Sequence, residues 1–284
     1  MLKRLILITV YLFLINCTSS SRKIAPDSIY NSFGVVYSDI NPIKVSGYKL
    51  LIVEPYFYSR EDIFEFHARG IKVLAYLSLG EVNESRRYFE EFKSLGLKGK
   101  NENHGSYYID LSNKKIKDKF INQLVPELYS YGYDGLFLDT IDAVAPYTTR
   151  KSMEEDMVDL IRRIKLANPS KILVQNAGLF ILDRTSEYVN AVAIEDIASG
   201  YNFDSDEYFV KSEEAFQKRI DLVDSMYYTY QIPFLIIDFE AQNSTNELIR
   251  SRLEKAGYPY FISNIGFSGL PIKVRKEAKL KKGA

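Results

Sequence analysis

Residues 131–143 read YGYDGLFLDTIDA and contain the clearest fold signal in the chain. The apolar run Leu136-Phe137-Leu138 is typical of a short strand buried on both faces, and Asp139 follows it directly. An acidic side chain beside such a run is costly to bury unless it is paired or used in chemistry. The segment therefore predicts a parallel strand that ends at a polar site.

Similar apolar runs recur along the chain, separated by segments with helical spacing. Eight runs are predicted as strands: KLLIVE (49–54), VLAYLSLG (73–80), SYYIDL (106–111), GLFLDT (135–140), ILVQNAG (172–178), AVAIED (191–196), FLIIDF (234–239) and YPYFIS (258–263). Eight strand–helix units predict an α/β fold, a single-domain (β/α)8 TIM barrel over residues 32–272. An open doubly wound sheet is the alternative, but no Gly-x-Gly-x-x-Gly turn follows the first predicted strand.

The two ends of the chain are predicted to lie outside this domain. Lys3 and Arg4 precede an apolar run, residues 5–15, that is shorter than the ~20 residues of a membrane span and suits a signal peptide. The signal peptide is assigned to residues 1–17, because the only cysteine, Cys17, ends FLINC as in a lipoprotein signal. This predicts an exported protein with a lipid anchor at Cys17, and simple secretion is the alternative. Residues 18–31 are read as a polar tether and residues 273–284 as a basic tail.

Composition excludes several classes of function. Lys and Arg together number 37, as do Asp and Glu, so no overall basic field attracts nucleic acid. One cysteine allows no internal disulfide and no thiolate metal cluster, and two histidines, His67 and His104, are too few for a multi-histidine metal site. Both histidines are predicted as surface residues. We expect a monomer that uses no cofactor.

Polar side chains collect at the carboxyl ends of the predicted strands. They are Glu54, Glu81, Asp110, Asp139, Asn176, Glu195 and Asp238. In a barrel these ends form the active-site face. Because residues two apart on a strand share a face, Asp139, Asn176, Glu195 and Asp238 are predicted to point inward. Such acids can instead cap the following helix, as Asp142 in particular could, but seven runs ending alike favour a site.

Paired carboxyl groups suit glycoside hydrolysis, in which one acts as general acid and the other as base or nucleophile. A Mg²⁺ or Ca²⁺ site is the alternative for a group of oxygen ligands. Sugar sites also use aromatic faces, and the chain has 22 Tyr and no Trp. Tyr37, Tyr76, Tyr147 and Tyr201 lie near predicted strand ends or loops.

Four motifs in order, VLAYLSLGEVNESRRYF, GYDGLFLDTIDA, ILVQNAG and AIEDI, resemble those of glycoside hydrolase family 114. These are endo-α-1,4-polygalactosaminidase-like (β/α)8 barrels, and the resemblance covers residues 33–265. It implies that Asp139 is the catalytic nucleophile and Glu195 the acid/base. It also places Glu54, Tyr76, Glu81, Asp110, Asn176 and Asp238 around the cleft, and Tyr37 and Asp142 are further substrate-binding candidates. Asp196 follows Glu195, but strand parity favours Glu195.

The resemblance implies a surface-anchored hydrolase that cuts α-1,4 bonds inside a galactosamine-rich polysaccharide. Its partners would be that polymer and, through the lipid, a membrane. A second hypothesis is a lipoprotein that keeps the barrel only to bind carbohydrate or protein. That hypothesis predicts carboxyl groups outside the ~5 to ~9.5 Å range that hydrolysis uses. A third hypothesis is a metal-dependent hydrolase on the same rim.

Overall fold

The computed structural model describes residues 28–240 and 243–271. The predicted signal peptide with Cys17, residues 18–27 of the tether and the basic tail lie outside the described residues. The strands are β1 (Phe33–Val36), β2 (Leu50–Val53), β3 (Lys72–Ser78), β4 (Glu81–Asn83), β5 (Leu97–Asn101), β6 (Ser106–Ile109), β7 (Gly135–Asp139), β8 (Ile172–Asn176), β9 (Ala191–Glu195), β10 (Ser199–Asn202), β11 (Glu207–Val210), β12 (Phe234–Phe239) and β13 (Tyr260–Ser263). The helices are α1 (Arg60–Ala68), α2 (Phe89–Leu95), α3 (Lys114–Lys119), α4 (Val125–Ser130), α5 (Glu154–Ala167), α6 (Leu182–Thr185), α7 (Glu213–Tyr230) and α8 (Asn243–Ala256), and a π-helical turn, Phe120–Leu124, joins α3 to α4.

Eight parallel strands form the central sheet, in the order β1-β2-β3-β7-β8-β9-β12-β13. The two outer strands lie side by side and nearly close the sheet, with the rings of Phe33 and Phe261 6.0 Å apart. The middle strands are apolar on both faces because side chains fill the barrel and helices cover its outside. The predicted TIM barrel is confirmed.

One predicted barrel strand is wrong. Residues 106–109 form β6, which pairs antiparallel with β4 and β5 in a separate sheet outside the barrel. Tyr107 and Tyr108 are only half-buried there, unlike Leu136, Phe137 and Leu138 of the barrel strand β7, which are fully buried. The barrel strand that the sequence pattern did not reveal is β1, which is only four residues long. It is followed by a 3-10 helix, Pro42–Lys44, so the regular strand–helix alternation begins at β2.

Two glycines set the position of β7. A Cβ atom on Gly135 would lie 1.9 Å from the Ile172 carbonyl oxygen, so only glycine allows β8 to approach this closely. A Cβ atom on Gly80 would lie 2.3 Å from the Thr140 carbonyl oxygen. The first close approach places the start of β7 against β8, and the second places the turn directly after Asp139 against Gly80.

The outer layer follows the predicted pattern where helices are present. The apolar side of α5 is buried at Met157, Leu160, Ile161 and Ile164. The predicted tether ends in a 3-10 helix, Ile29–Ser32, whose Ile29 packs against the core, so the folded domain begins slightly before residue 32. Within the described residues, no helix is both long and apolar enough to cross a membrane.

Two antiparallel insertions rise from the carboxyl ends of barrel strands. The β5–β6 hairpin belongs to the small sheet between β3 and β7, and the β10–β11 hairpin lies between β9 and α7. Both insertions are therefore on the face of the barrel where the polar strand ends lie.

Candidate active site

Three neighbouring strands end in polar side chains that meet at the mouth of the barrel. Asp139 ends β7, Asn176 ends β8 and Glu195 ends β9. The residue after each of them has a positive φ: 58° at Thr140, 53° at Ala177 and 66° at Asp196. Non-glycine residues pay about 1 kcal/mol or more for this conformation, and such strain concentrates at functional sites. The three turns take the chain sharply away from the strand direction directly after each polar residue.

Asn176 joins the two acids. Its Nδ2 donates to Asp139 Oδ1 and to Glu195 Oε1, both at 2.8 Å. Because the two hydrogens of one amide diverge by about 120°, the two carboxyl oxygens lie about 5 Å apart. Tyr76 Oη donates to the second oxygen of Asp139, also at 2.8 Å. Asp139 thus accepts one hydrogen bond at each of its carboxyl oxygens, and both hold its side chain in place.

The environment of Glu195 favours its protonated form. Burial, and then the negative charge of Asp139, raise the pKa of Glu195 to about 7, although the hydrogen bond from Asn176 opposes the shift. Burial also raises the pKa of Tyr76 well above its usual range, so its hydroxyl keeps its proton and continues to donate to Asp139. A carboxyl group with this pKa can supply a proton near neutral pH, which is the role that acid-assisted cleavage needs.

Behind Asp139 lies a layer of aromatic and charged groups. Tyr37 packs edge-on against Tyr76 with ring centres 5.0 Å apart. The two terminal nitrogens of the Arg86 guanidinium each donate to one carboxylate oxygen of Glu54 at 2.7 Å. The same guanidinium is 5.7 Å from the centre of the Tyr76 ring. Of these residues, Tyr76 and Arg86 line the cleft, whereas Tyr37 and Glu54 support them.

Two more predicted acids are close to the pair. Glu81 lines the cleft and accepts hydrogen bonds from the Asn101 amide at 3.1 Å and from the Ser106 hydroxyl. Asp142 lies in a 3-10 helix, Ile141–Val144, and its carboxyl faces the cleft. Desolvation, and then the charges of Asp139 and Glu81, raise its pKa.

The structure does not bring Asp110 and Asp238 to the cleft, contrary to the prediction. Asp110 follows β6 in the outer sheet, where it pairs with Lys98 at 2.9 Å. Asp238 is fully buried and accepts from the backbone nitrogens of Ala198 at 2.6 Å and Ser199 at 2.8 Å. The prediction that Asp238 points inward is wrong: Ile237 is the residue of β12 that pairs with the inward-facing Glu195, so Asp238 lies on the opposite face of the sheet, and the chain that follows β9 covers it.

Two further acids, Asp196 and Asp134, form ion pairs and do not line the cleft. Asp196, the neighbour of Glu195, forms an ion pair with Lys211 at 3.1 Å. Asp134 lies at the opposite end of β7 and binds His67 and Lys72, both at 2.8 Å. Among the described residues, no group of three or more His, Cys, Asp or Glu side chains is arranged to hold a metal ion.

Sequence reasoning missed several residues that line the cleft, which has a volume of about 740 Å³. Arg150 lies over the Tyr108 ring at 3.3 Å, and Arg219, from α7, donates to the Glu195 carbonyl at 2.8 Å. His104, predicted as an ordinary surface residue, borders the same cleft. Tyr147 extends into solvent at the cleft mouth, whereas Tyr201 does not line it. The overlooked residues Arg150, Arg219 and His104 come from loops or a helix, where no strand pattern points to the site.

A protein-family model described as glycoside-hydrolase family GH114 matches residues 17–263. The chain belongs to this family. This GH114 protein is 26% identical over 257 residues to an uncharacterized protein, MJ1477, of Methanocaldococcus jannaschii, with 78% of this chain and 72% of that protein aligned. The motif resemblance seen in the sequence is thus confirmed, and the chain falls within a family of glycoside hydrolases.

Two solved structures share the fold of this GH114 chain. The glycoside hydrolase domain of PelA from Pseudomonas aeruginosa superposes with a TM-score of 0.75 at 22% identity, covering 85% of this chain and 97% of that one. Aspergillus fumigatus Ega3, solved in complex with galactosamine, gives a TM-score of 0.68 at 12% identity, covering 86% and 94%. At these identities the similarities establish the barrel, whereas function has to be argued from the site.

Proposed function

We propose that this protein is a retaining glycoside hydrolase in which Asp139 is the nucleophile and Glu195 the acid/base. The observation that carries the proposal is the bridge through Asn176: one amide nitrogen binds both carboxyl groups at 2.8 Å, and ideal amide geometry then puts the two accepting oxygens about 5 Å apart. Retaining enzymes use a separation of about 5 to 5.5 Å, whereas inverting enzymes need about 6.5 to 9.5 Å to admit a water molecule. The same spacing argues against the purely sugar-binding alternative.

The residues of the site can carry out hydrolysis in two steps, through a covalent bond between the sugar and Asp139. Glu195, as the acid, donates its proton to the glycosidic oxygen while an Asp139 oxygen attacks the anomeric carbon and the leaving sugar departs. In the second step Glu195, now a carboxylate, takes a proton from water. The water oxygen attacks the anomeric carbon and releases Asp139. The donors Tyr76 and Asn176 hold Asp139 in position before the first step.

We infer that the substrate is an α-1,4-linked polymer rich in galactosamine, cut at internal bonds. The charges of Asp139 and Glu81 help to raise the pKa of Asp142, after burial, and such a group of acids favours an ammonium substituent. Galactosamine bound to Ega3, which has the same barrel, supports this choice of sugar. Three arginines also line the cleft, so a chain that is only partly cationic suits it better than a fully charged one.

Incubation of the purified protein with defined polysaccharides, followed by mass spectrometry of the products, tests this proposal. We expect oligosaccharides from α-1,4-galactosamine polymers and little release from neutral α-1,4-glucan of similar length. Retention of the polymer without cleavage would instead support the sugar-binding alternative. Loss of activity on addition of a chelator would support the metal-dependent one.

Asn176→Ala should move the pH dependence of hydrolysis. The alkaline limb of the wild-type profile is expected near pH 7, because the reaction needs Glu195 protonated and its pKa is about 7. The Asn176 hydrogen bond lowers this pKa, so its removal should shift the limb to higher pH while lowering the maximal rate. The profile of kcat/KM over pH 5–9, which reports the pKa values of the free enzyme, checks this, with Asp110→Asn as the control. An unshifted limb contradicts the bridging role of Asn176.

We also propose that Cys17 anchors the protein to a membrane through a lipid. Support comes from the sequence alone, since the single cysteine ends the signal-like segment. Cells that express the chain and are fed a labelled fatty acid should incorporate label into it, and Cys17→Ala should remove that label. Equal labelling of the two proteins would leave Cys17 without this role.

A further inference from the structure

Two hairpin tips meet above the catalytic acids. His104, at the tip of the β5–β6 hairpin, contacts Phe203, at the tip of the β10–β11 hairpin, with ring centres 5.4 Å apart and planes at 81°. Both residues are exposed to solvent, and His104 also borders the cleft. We call the pair of hairpins, residues 97–109 and 199–210, the strap.

The order of the barrel strands shows where the strap runs. One hairpin belongs to the insertion after β3 and the other follows β9, and β7 and β8 lie between these two strands in the sheet. Asp139 ends β7, Asn176 ends β8 and Glu195 ends β9. A contact between the two tips therefore passes over the mouth at the place where these three side chains meet.

A buried carboxylate binds each hairpin, next to the tip in one and at the base in the other. Glu81 accepts from Asn101 and Ser106, the paired residues that flank the tip bearing His104. Asp238 accepts from the backbone of Ala198 and Ser199, where β10 begins. Two predicted sugar-binding acids thus anchor the two arms of the strap, although Glu81 also faces the cleft.

Further contacts stabilise the β10–β11 hairpin, which carries Phe203. The Tyr201 ring lies 5.1 Å from Phe203 and 4.8 Å from Tyr208, and the Tyr208 hydroxyl accepts from the Ile265 backbone nitrogen at 2.9 Å. Asn202 Oδ1 accepts from the Asp204 backbone nitrogen at 2.9 Å and orders the turn. Each arm is firmly built, whereas the tips meet through one exposed ring pair, which is a weak contact.

We propose that the strap opens to admit a polysaccharide from the side and closes over it, so that one chain is cut several times before release. This inference rests on the proposed function and adds the way in which the enzyme holds its polymer. Lids that open and close in this manner commonly control substrate entry and release. Phe203 is then a determinant of specificity for long chains and has no part in the chemical step.

The test measures release of an end-labelled fluorescent α-1,4-galactosamine polymer from the full chain carrying Glu195→Gln. Adding Phe203→Ala should raise the dissociation rate about three- to tenfold, because one aromatic contact is lost. Phe203→Tyr should restore slow release. Phe64→Ala removes another exposed phenylalanine, from α1, remote from the strap in the chain, and should leave release unchanged.

The active enzyme supplies a second readout. With Glu195 intact, Phe203→Ala should lower the number of cuts made per polymer engaged, while hydrolysis of a short oligosaccharide changes little. If Phe203→Ala and His104→Ala both release the polymer at the parent rate, the strap proposal is overturned even though hydrolysis stands. If the wild type neither binds nor cuts the polymer, the proposed substrate fails and the strap proposal falls with it.

Discussion

Asp139→Asn is expected to lower hydrolysis of a galactosamine polymer by about four orders of magnitude or more, as loss of a covalent nucleophile does. The amide has nearly the shape of the carboxylate and can still accept a hydrogen bond from Tyr76, so the fold should survive. What it lacks is the charge that attacks the anomeric carbon. Release of reducing ends measures the loss, and thermal unfolding confirms the fold.

Two further measurements test the role of Asp139: a control variant, Asp110→Asn, and covalent labelling with a slow substrate. Asp110→Asn makes the same change at an acid outside the cleft and should leave turnover within about twofold, since surface ion pairs contribute little. An activated fluoro-glycoside that reacts quickly in the first step and slowly in the second should label the wild-type peptide that contains Asp139. Label on Glu195, or Asp139→Asn turnover within tenfold of wild type, would reverse or remove the assigned role.

Glu195→Gln is expected to lower hydrolysis of the natural polymer by about two to four orders of magnitude, the usual contribution of general acid–base catalysis. Glutamine cannot donate a proton to the leaving oxygen. Substrates whose leaving group departs without a proton should therefore lose less in the first step. Added azide should restore turnover by replacing the water that Glu195 activates. Asp196→Asn changes the adjacent acid, which is paired with Lys211, and a larger loss there than in Glu195→Gln would contradict the assignment.

The same substitution should stabilise the protein at high pH. The folded-state pKa of Glu195 is raised from 4.5 to about 7, so folding favours its protonated form. Stability from this group is present below pH 4.5 and is lost as the pH rises towards 7, because the folded state must then ionise a buried acid or keep a proton. Above pH 7, Glu195→Gln should increase the free energy of unfolding by up to about 3 kcal/mol, with a smaller difference at pH 5. Denaturant unfolding at pH 5 and pH 8 measures the difference in free energy of unfolding between the variant and the wild type. An equal difference at both pH values would show that ionisation of Glu195 is not its cause.

The main parts of the active site were predictable from local sequence patterns. Asp139, Asn176 and Glu195 each end an apolar run, and the alternation of side chains along a strand shows which residues share a face with them. Asp238 also comes near the end of an apolar run, but it points to the opposite face, because Ile237 is the residue of β12 that pairs with Glu195. A segment from another part of the chain, Ala198–Ser199, lies over it. Strand parity gives alternation within one strand, whereas the register with the neighbouring strand decides which residues face inward.

The errors in the fold have a similar origin. SYYIDL and FGVV are both short apolar segments, and their sequences do not show whether the partner strand is parallel or antiparallel. The chain uses the second as barrel strand β1 and the first in an outer sheet. Arg86, Arg150 and Arg219 reach the cleft from a loop or a helix, where a charged residue is normally a surface residue.

The sequence by itself determined the barrel, the polar ends of its strands and the two acids that stand out among them, because these features follow from short-range periodicity. Only the tertiary structure decided that Asn176 bridges Asp139 and Glu195, that Glu195 holds its proton near neutral pH, and that two distant hairpins meet over the site. Each of these depends on distances of a few ångströms between residues far apart in the chain. Hydrogen bonding and burial act over such distances, and the order of residues along the chain does not specify them.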